Sequence, residues 1–280
     1  MNNISNISNI VESFTVLDDL TALLQLNKQT SRRKPSLALS EVAAISLIRS
    51  EYSIRTWKGT YKLLRTRFKS EFRLPNYKSF VLLMNNNAKL ILVLLNILLQ
   101  VNRKKAGIIK LIDSTPLPVC KNIRIPRHKT CKKIATRSKT TMGWFYGLKL
   151  HLVSDLKGNI LYIRFTTGNV GDRVVLDRLL ERINNSIIVA DAGYCSKPLE
   201  EKAGRNNNIL ITCLRKNMKK MATFLDICLL NLRPGIETLF SILKGRLGLV
   251  TSLPRSINGY IAHYIYVIFG YMIKKAYVIS

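Results

Sequence analysis

Acidic residues are scarce in this sequence: 16 Asp and Glu stand against 45 Lys and Arg, which gives a net charge of +29. Between Phe72 and Ser154 the only acid is Asp113, which lies among sixteen Lys and Arg residues. Such an excess of one sign repels itself in a compact chain unless a polyanion shares the surface. Nucleic acid is the commonest such partner. Because the excess is spread along the chain rather than set on one amphipathic helix, a membrane surface is disfavoured.

The sequence also lacks segments that direct a protein to a membrane. Its first residues, MNNISNISNI, have neither the positive start nor the apolar stretch of a signal peptide. The apolar runs 90–101 and 260–273 fall short of the ~20 residues that span a bilayer, and each contains a polar residue, Asn96 or His263. They predict buried helices and no membrane partner. Five cysteines without a secretory start indicate a reduced, cytoplasmic protein.

At 280 residues the chain is long enough for one large domain with a smaller one attached. Residues 1–105 are predicted to form an all-α N-terminal domain, because apolar residues recur there at helical spacing. In TWKGTYKLLRTRFKSEF, apolar residues such as Trp57 and Tyr61 fall on one face and Lys58 and Lys62 on another. A basic helix face suits binding of DNA ends or assembly of protomers, but many solvated helices have the same pattern.

The pattern changes after residue 105, and 106–280 is predicted to be a mixed α/β domain with a C-terminal helix. Strand-like runs and helical patterns follow one another in the order β-β-β-α-β-α-β-α. The first three strands are expected to be antiparallel, and the later ones to be reached by helical crossovers. This is the order of a ribonuclease-H-like mixed sheet flanked by helices. The predicted strands are 108–113, 146–155, 159–168, 186–194 and 208–216, and the predicted helices are 172–183 and 234–248.

Three carboxylates occupy distinctive positions in this α/β region. Asp113 ends the first predicted strand, Asp191 ends the fourth, and Glu237 lies in the first turn of the last helix before the C-terminal one. Sites in α/β folds lie beyond the carboxyl ends of strands, and Mg²⁺ prefers oxygen ligands. Such a set could hold two metal ions about 4 Å apart for phosphoryl transfer. Any one of them alone is more often an N-cap or a salt-bridge partner. No P-loop or dinucleotide-binding glycine motif occurs, so no nucleotide cofactor is expected.

Several stretches resemble the successive blocks of bacterial insertion-sequence DDE transposases, and the resemblance covers about residues 107–273. The blocks are LIDSTPLPVC, GWFYGLKLHLVSDLKGNI, TTGNVGDRVVLDRLL, VADAGY, LITCLRKNMKK and RPGIETLFSILK. The last is the most specific, because such transposases commonly carry Tyr, Arg, Glu and Lys at fixed spacing. Arg233, Glu237 and Lys244 fit that spacing, whereas Leu230 stands at the Tyr position.

The resemblance implies a function and a set of partners. Asp113, Asp191 and Glu237 would be the catalytic and metal-binding triad, with Mg²⁺ as the metal and Mn²⁺ as a substitute. The substrates would be double-stranded DNA, namely the terminal inverted repeats and a target. A homodimer or higher assembly on DNA would be expected, in the cytoplasm of a bacterium and associated with its nucleoid.

Basic residues near the triad are expected to contact DNA phosphates. Glu237 and Lys244 are seven residues apart, which puts them on one face of an ideal α-helix, and Arg233 lies at the entrance of that helix. Arg215 and Lys216, in RKNMKK, are further candidates for phosphate binding. The alternative is that these residues are ordinary solvated charges.

Other candidates are interpreted more conservatively. Asp172, which matches a family Asp near a helix start, is interpreted as an N-cap rather than a metal ligand. His151 and His263 are interpreted as core histidines. Trp144 and Phe145 have basic neighbours and could stack on a base near the cut end, but core packing is favoured for both.

The sequence therefore predicts a transposase that cleaves DNA at insertion-sequence ends and transfers the strands to a target. Two other functions stay open. One is a ribonuclease-H-like nuclease that cuts without joining strands. The other is a catalytically inactive DNA-binding remnant, which Leu230 and the uncharged CLLNL just before Arg233 would suit.

Overall fold

The computed structural model describes residues 14–24, 36–141, 143–213 and 223–278, and it divides into two compact units. The first unit comprises Met1–Leu98, Leu243–Leu249 and Leu253–Ser280, and the second comprises Leu99–Ile242 and Val250–Ser252. The C-terminal helix therefore groups with the N-terminal helices, whereas the sequence analysis placed it with the sheet. The reason is close packing within the first unit.

The first unit is built from helices, and its core is formed by two of them. The helices are α1 (14–23), α2 (Leu39–Glu51), α3 (Trp57–Arg67), α4 (Tyr77–Lys105, which enters the second unit at Leu99) and α9 (Ile257–Val278). α2 is buried along most of its length because small and apolar residues follow one another in VAAISLI. Gly270 of α9 approaches α2 so closely that an added Cβ would lie 2.6 Å from the carbonyl oxygen of Ser46. This contact requires a glycine and ties the C-terminal helix to α2.

A buried polar group completes this core. Arg49 donates from Nε to the carbonyl oxygen of Ile54 at 2.9 Å and from Nη2 to that of Arg55 at 2.8 Å. Its Nη2 also lies 3.3 Å from Nδ1 of His263, whose Nε2 is 2.9 Å from the carbonyl oxygen of Gly248. His263 therefore donates from Nε2 and accepts at Nδ1. Burial, with Arg49 adding to it, lowers the pKa of His263 to about 3, so the ring is neutral. The interpretation of His263 as a core histidine is confirmed.

The apolar run 90–101 lies within α4, which has 29 residues. Among the described helices this one is long and apolar enough to cross a membrane by length and composition, and 28% of its most apolar stretch is buried. The argument that the run is too short does not hold for the whole helix. Its buried face includes Phe80, Met84 and Ile91, and the hydroxyl of Tyr266 on α9 donates to the carbonyl oxygen of Met84 at 2.8 Å. The absence of a membrane partner stays a prediction.

The second unit contains a six-stranded mixed sheet. Its strands are β1 (Ile109–Cys120), β2 (Thr136–Thr140), β3 (Gly143–Ser154), β4 (Ile160–Thr167), β5 (Ile187–Ala190) and β6 (Ile209–Thr212). One edge of β3 pairs with β1, and its other edge pairs first with β2 and then with β4, all antiparallel. On the far side of β1 follow β5 and β6, each parallel to its neighbour. The antiparallel start and the later crossovers agree with the prediction.

Helices lie on both faces of this sheet. They are α5 (Asp172–Leu179), α6 (Lys197–Arg205), α7 (Phe224–Leu230) and α8 (Pro234–Ser241). Ile112 of β1 packs in a buried cluster with Leu176 of α5 and Leu199 of α6. The neighbouring Leu111 points to the opposite face because side chains alternate along a strand, and there it meets the start of α8 at Gly235. The predicted mixed sheet flanked by helices is confirmed.

Three strands differ from the prediction. β5 is shorter than the predicted 186–194, because Ala192–Tyr194 form a 3₁₀ helix after it. β2 was missed because TRSKT has no apolar alternation; it forms as the partner of the first half of β3. β1 does not end at Asp113 but continues to Cys120, since STPLPVC stays paired with β3. Asp113 is therefore an interior residue of a long strand.

One glycine is required where β1 and β3 meet. An added Cβ on Gly147 would overlap the backbone carbonyl oxygen of Leu117, next to the irregularity in pairing between Pro118 and Cys120. We expect Gly147→Ala to lower the free energy of unfolding by about 1–3 kcal/mol, as overpacking does. Gly204→Ala is the matched control, because Gly204 lies in α6 with open space around it, and we expect a gain of about 0.5–1 kcal/mol. Thermal unfolding of both variants beside the wild type would check this; equal effects would contradict it.

Candidate active site

Asp113 and Asp191 come together where two parallel strands part. β1 and β5 pair from Ile109 with Ile187 to Leu111 with Val189. β5 then ends at Ala190 and Asp191 follows directly, while Asp113 lies two residues beyond the last parallel pair on β1. The two carboxylates therefore stand at the same edge of the parallel part of the sheet, the location at which α/β folds place their sites.

Glu237 is brought to this edge by α8 through Arg233. Glu237 lies in the first turn of α8, which contacts β1. Arg233, just before that helix, has Nη1 3.3 Å from Oδ1 of Asp191 and Nη2 3.5 Å from Oε1 of Glu237. The guanidinium thus joins two of the three predicted carboxylates. The carboxylate side chains are about half exposed (50% and 58%), while that of Arg233 is 20% exposed, so the acids stay open to an incoming ligand.

The electrostatics of Asp113 reflect its partial burial. Burial raises the pKa of Asp113 to about 6, and the negative charges of Asp191 and Asp172 act in the same direction. Two contacts oppose them: the backbone N–H of Ser114 donates to Oδ1 at 2.7 Å, and Arg233 attracts the ionised form. At neutral pH Asp113 is thus ionised although its surroundings disfavour the charge, and a further cation nearby would stabilise the ionised form.

Arg233 is held as a cation by its neighbours. Burial by itself lowers the pKa of Arg233, but the charges of Asp191 and Asp113 and a hydrogen bond from Nη1 to Sγ of Cys213 at 3.4 Å more than offset this, so the pKa is raised. Its Nε is buried and has no hydrogen-bond partner within the described part of the chain. The guanidinium is paired with carboxylates in this structure, and its predicted contact with a DNA phosphate stays a prediction.

A second polar cluster lies behind Asp113, and Asp172 is its centre. Oδ1 of Asp172 accepts from the hydroxyl of Ser114 at 2.7 Å and from Nζ of Lys149 at 3.3 Å, and lies 3.6 Å from Nδ1 of His151. The interpretation of Asp172 as an N-cap is wrong, because Gly171 occupies the cap position and Asp172 is the first residue of α5. Ser114 directly follows Asp113 and its backbone N–H donates to Asp113, so Ser114 links the two carboxylates.

His151 is buried in the same cluster, as predicted for a core histidine. Its Nε2 is 3.0 Å from the hydroxyl of Thr166, while Nδ1 has no hydrogen bond within the described residues. Burial lowers the pKa of His151 to about 4, although Asp172 pulls it upward, so the ring is neutral at physiological pH. Sequence reasoning missed Ser114 and Lys149. Lys149 and His151 alternate in an otherwise apolar strand, LKLHL, and that alternation of polar side chains on one face was the available signal.

The donor chemistry of the three predicted ligands fits a hard divalent cation, since carboxylate oxygens are what Mg²⁺ and Mn²⁺ prefer. Their arrangement is not a finished metal site: among the described residues, no group of three or more His, Cys, Asp or Glu side chains is placed to hold an ion. Arg233 instead lies against Asp191 and Glu237. The structure therefore brings the three carboxylates into one neighbourhood with a guanidinium among them.

The remaining predicted phosphate contacts are placed differently. Lys244 lies in a π-helical segment, Ile242–Arg246, so the ideal α-helical spacing from Glu237 does not continue to it, and it belongs to the first unit. Burial lowers the pKa of Lys244. Arg215 and Lys216 lie outside the described residues, and their role stays a prediction.

Comparison with known proteins gives a family match for this region. The family model described as Transposase DDE domain matches residues 103–256, slightly more than half of the chain. No curated protein matches the sequence. Among solved structures, a cryo-EM structure of the piggyBac transposase synaptic complex with hairpin DNA is similar, with 11% identity, a TM-score of 0.49, and coverage of 98% of this chain and 73% of that one. At that identity and TM-score the structural similarity carries no inference.

Replacing the unfavourably placed carboxylate should stabilise the metal-free protein. The pKa of Asp113 is about 6 when folded and lies near 4 when unfolded, so its ionisation opposes folding above pH 6 and has no effect below about pH 4. We expect Asp113→Asn to raise the free energy of unfolding by about 1–2 kcal/mol at pH 7.5 in EDTA, and the gain to vanish at pH 4. Thermal or urea unfolding at both pH values would measure it.

The control for this variant is Glu201→Gln, which removes one negative charge from an exposed position of α6. It should change stability by less than about 0.5 kcal/mol at either pH. A loss of stability in Asp113→Asn at pH 7.5 would contradict the prediction and mean that attraction to Arg233 outweighs burial.

Proposed function

The chain belongs to the transposase DDE domain family, and we propose that it cleaves DNA at the ends of an insertion sequence and transfers the freed strands to target DNA. One observation carries the proposal. Asp191 and Glu237 share the guanidinium of Arg233, and Asp113 lies close enough for Arg233 and Asp191 to shift its pKa. Three carboxylates gathered at one edge of a mixed sheet are what metal-dependent phosphoryl transfer requires.

Asp113, Asp191 and Glu237 would hold Mg²⁺, or Mn²⁺ in its place. When bound, such ions activate the attacking oxygen and stabilise the leaving oxygen of a phosphodiester. In the protein without metal, Arg233 supplies the positive charge that keeps Asp191 and Glu237 near each other. In the loaded site we expect its guanidinium to turn to a DNA phosphate, which is the role the sequence suggested. Lys244, Arg215 and Lys216 are proposed to add further phosphate contacts.

The reaction has two steps of one kind. Water attacks the phosphodiester at the element's end, the P–O3′ bond breaks, and a free 3′-hydroxyl results. That hydroxyl then attacks a phosphodiester of the target, displaces its 3′-oxygen and leaves a joined strand. Each step exchanges one P–O bond for another, so no covalent enzyme intermediate is needed.

A ribonuclease-H-like fold is proposed for the second unit. The path β4-β3-β1-β5-β6, antiparallel up to β1 and parallel beyond it, supports this assignment. Residues 1–105 are proposed to act as an all-α domain that binds the terminal inverted repeats or helps assemble a dimer or larger complex on DNA. The net charge of +29 supports a polyanionic partner. A cytoplasmic, nucleoid-associated location follows from this function.

A second candidate is a DNA-binding protein that has lost catalysis. The observation in its favour is that Arg233 is paired with two of the triad carboxylates, and that Leu230 stands where related transposases commonly carry Tyr. Such a remnant would bind DNA and be indifferent to divalent ions. A nuclease of the same fold would cut DNA but yield no joined products.

Divalent ions should stabilise the protein through these carboxylates. We expect millimolar Mg²⁺ or Mn²⁺ to raise the melting temperature of the wild type, because a ligand that binds the folded state stabilises it. Asp191→Asn should remove most of the rise. Asp177→Asn is the matched control, since the Asp177 side chain is 49% exposed against 50% for Asp191 and lies away from the triad on α5. Equal metal responses in the two variants would speak against the proposed ligands.

DNA cleavage tests the reaction itself. Labelled duplexes carrying the flanking inverted repeats would be incubated with wild type, Asp191→Asn and Asp177→Asn in Mg²⁺, Mn²⁺ or EDTA. We expect nicking at the repeat end with either metal, retained in Asp177→Asn and lost in Asp191→Asn while DNA binding persists. Joined products distinguish a transposase from a nuclease. Tight binding without cutting in any metal would favour the inactive remnant.

A further inference from the structure

Trp144 is exposed on the sheet, contrary to the core packing favoured from the sequence. It lies at the start of β3 with 51% of its surface exposed, whereas the next residue, Phe145, is 6% exposed. Neighbouring side chains of a strand point to opposite faces, so one of the pair packs inside and the other faces solvent. A single exposed aromatic residue is common on protein surfaces, so its surroundings decide what it can bind.

Two cations flank this indole. Lys139 of β2 is directly opposite Trp144 in the antiparallel register, and Arg137, two residues away, lies on the same face. The guanidinium carbon of Arg137 is 4.8 Å from the ring centroid, and Nζ of Lys139 is 5.9 Å from it. Such cation–π contacts orient the ring while most of the charge stays in solvent.

A short 3₁₀ helix, Asn122–Arg127, adds to this surface. Asn122 donates from Nδ2 to the carbonyl oxygen of Trp144 at 2.7 Å, which fixes the helix beside the strand. None of the residues of this helix is buried, and Arg124 and Arg127 are exposed on it. We call Trp144, Arg137, Lys139, Arg124 and Arg127 the tryptophan surface.

The charge of this region selects a negative partner. Residues 114–154 contain nine Lys and Arg and no Asp or Glu, so nothing in the segment offsets the cations of the tryptophan surface. An apolar protein partner would leave these charges without a counterpart. A nucleic acid satisfies both features, because its phosphates pair with Arg and Lys and its bases stack on aromatic rings.

The tryptophan surface is separate from the carboxylates. Trp144 is eight residues along β3 from Leu152, which pairs with Asp113. At about 3.3 Å per residue the two positions are roughly 26 Å apart along the strand. A DNA segment seated there is therefore not the phosphodiester being cut.

We propose that the tryptophan surface binds unpaired nucleotides of DNA, with Trp144 stacked on a base and Arg124, Arg127, Arg137 and Lys139 on the neighbouring phosphates. Bases inside a duplex are covered by their neighbours, so a single indole can stack only on a base that is unpaired or turned out. The inference rests on the proposed function for its choice of DNA as partner. It adds a second contact for a single-stranded or distorted stretch away from the cut.

The two tryptophans of the chain make a direct test possible. Trp57→Phe leaves Trp144 as the only indole. A phenyl ring at position 57 can keep the edge contacts with Phe80 and Tyr266 and the contact with the guanidinium of Arg49, whose carbon lies 4.5 Å from the centroid of the indole. Full-length Trp57→Phe would be titrated with a thymidine oligonucleotide, and separately with a blunt duplex of equal length, in EDTA. We expect strong, saturable quenching by the single strand and little by the duplex. No quenching by the single strand would overturn the proposal.

Affinity variants supply the second arm. Trp144→Ala should weaken binding of a labelled single strand about tenfold, and Trp144→Tyr should keep most of the affinity, since any aromatic ring can stack. Circular dichroism would show that both exposed-site variants fold. Unchanged affinity in Trp144→Ala would overturn the proposal. If light scattering showed that Trp144→Ala loses self-association and keeps DNA binding, the surface would instead be assigned to a second copy of the chain.

The test is independent of cleavage. Quenching is measured without metal and can be repeated in a protein that carries both Trp57→Phe and Asp191→Asn. Binding of single strands to the tryptophan surface can therefore be confirmed even if the catalytic proposal fails. Conversely, if the protein cuts DNA with metal but single strands do not quench Trp144, the proposed catalytic function stands and the proposed nucleotide binding by the tryptophan surface is wrong.

Discussion

The second unit depends on a single constraint: carboxylates gathered at one place repel one another and need a cation between them. Arg233 meets that need by pairing with Asp191 and Glu237 at the same time. Its position immediately before α8 means that the helix carrying Glu237 and the cation that attracts it arrive together. Without that guanidinium, the charges on a strand end and on a helix start would favour separation. The positive charge of Arg233 therefore holds Asp191 and Glu237 near each other without any other ligand.

The sheet provides the other half of this arrangement. β1 is parallel to β5 on one side and antiparallel to β3 on the other, and it continues beyond the point where β5 ends. Asp113 therefore lies next to Asp191 on a strand that stays hydrogen-bonded along β3, which explains both its burial and its raised pKa. Asp172 holds the hydroxyl of Ser114, the residue after Asp113, while its negative charge adds to the raised pKa of Asp113. A strand-end position would have left Asp113 more exposed and less constrained.

Two carboxylates of this candidate site occupy positions that local sequence pattern predicts. Asp191 follows a short apolar strand and Glu237 follows Pro234 in a first helical turn, and both signals are local. Sequence reasoning failed where tertiary contacts decide. β2 has no apolar alternation and exists because β3 offers it an edge. Asp172 looked like an N-cap because its partners Ser114 and Lys149 are distant in sequence. The exposure of Trp144 likewise depends on which face of the sheet it lies on, and the residue types around it do not reveal that face.

The same excess of cations thus has two different structural uses. One of these cations, Arg233, is paired with Asp191 and Glu237. Its charge becomes available to a ligand only when another cation neutralises those two carboxylates. Around Trp144 the cations have no acidic neighbour in the surrounding sequence, so their charge is open to a polyanion from the start. In the proposed function, binding at the open surface would require no prior event, whereas engagement of a phosphate by Arg233 would require that a metal first neutralise Asp191 and Glu237. Under the proposed function, this asymmetry would separate DNA capture from DNA cleavage.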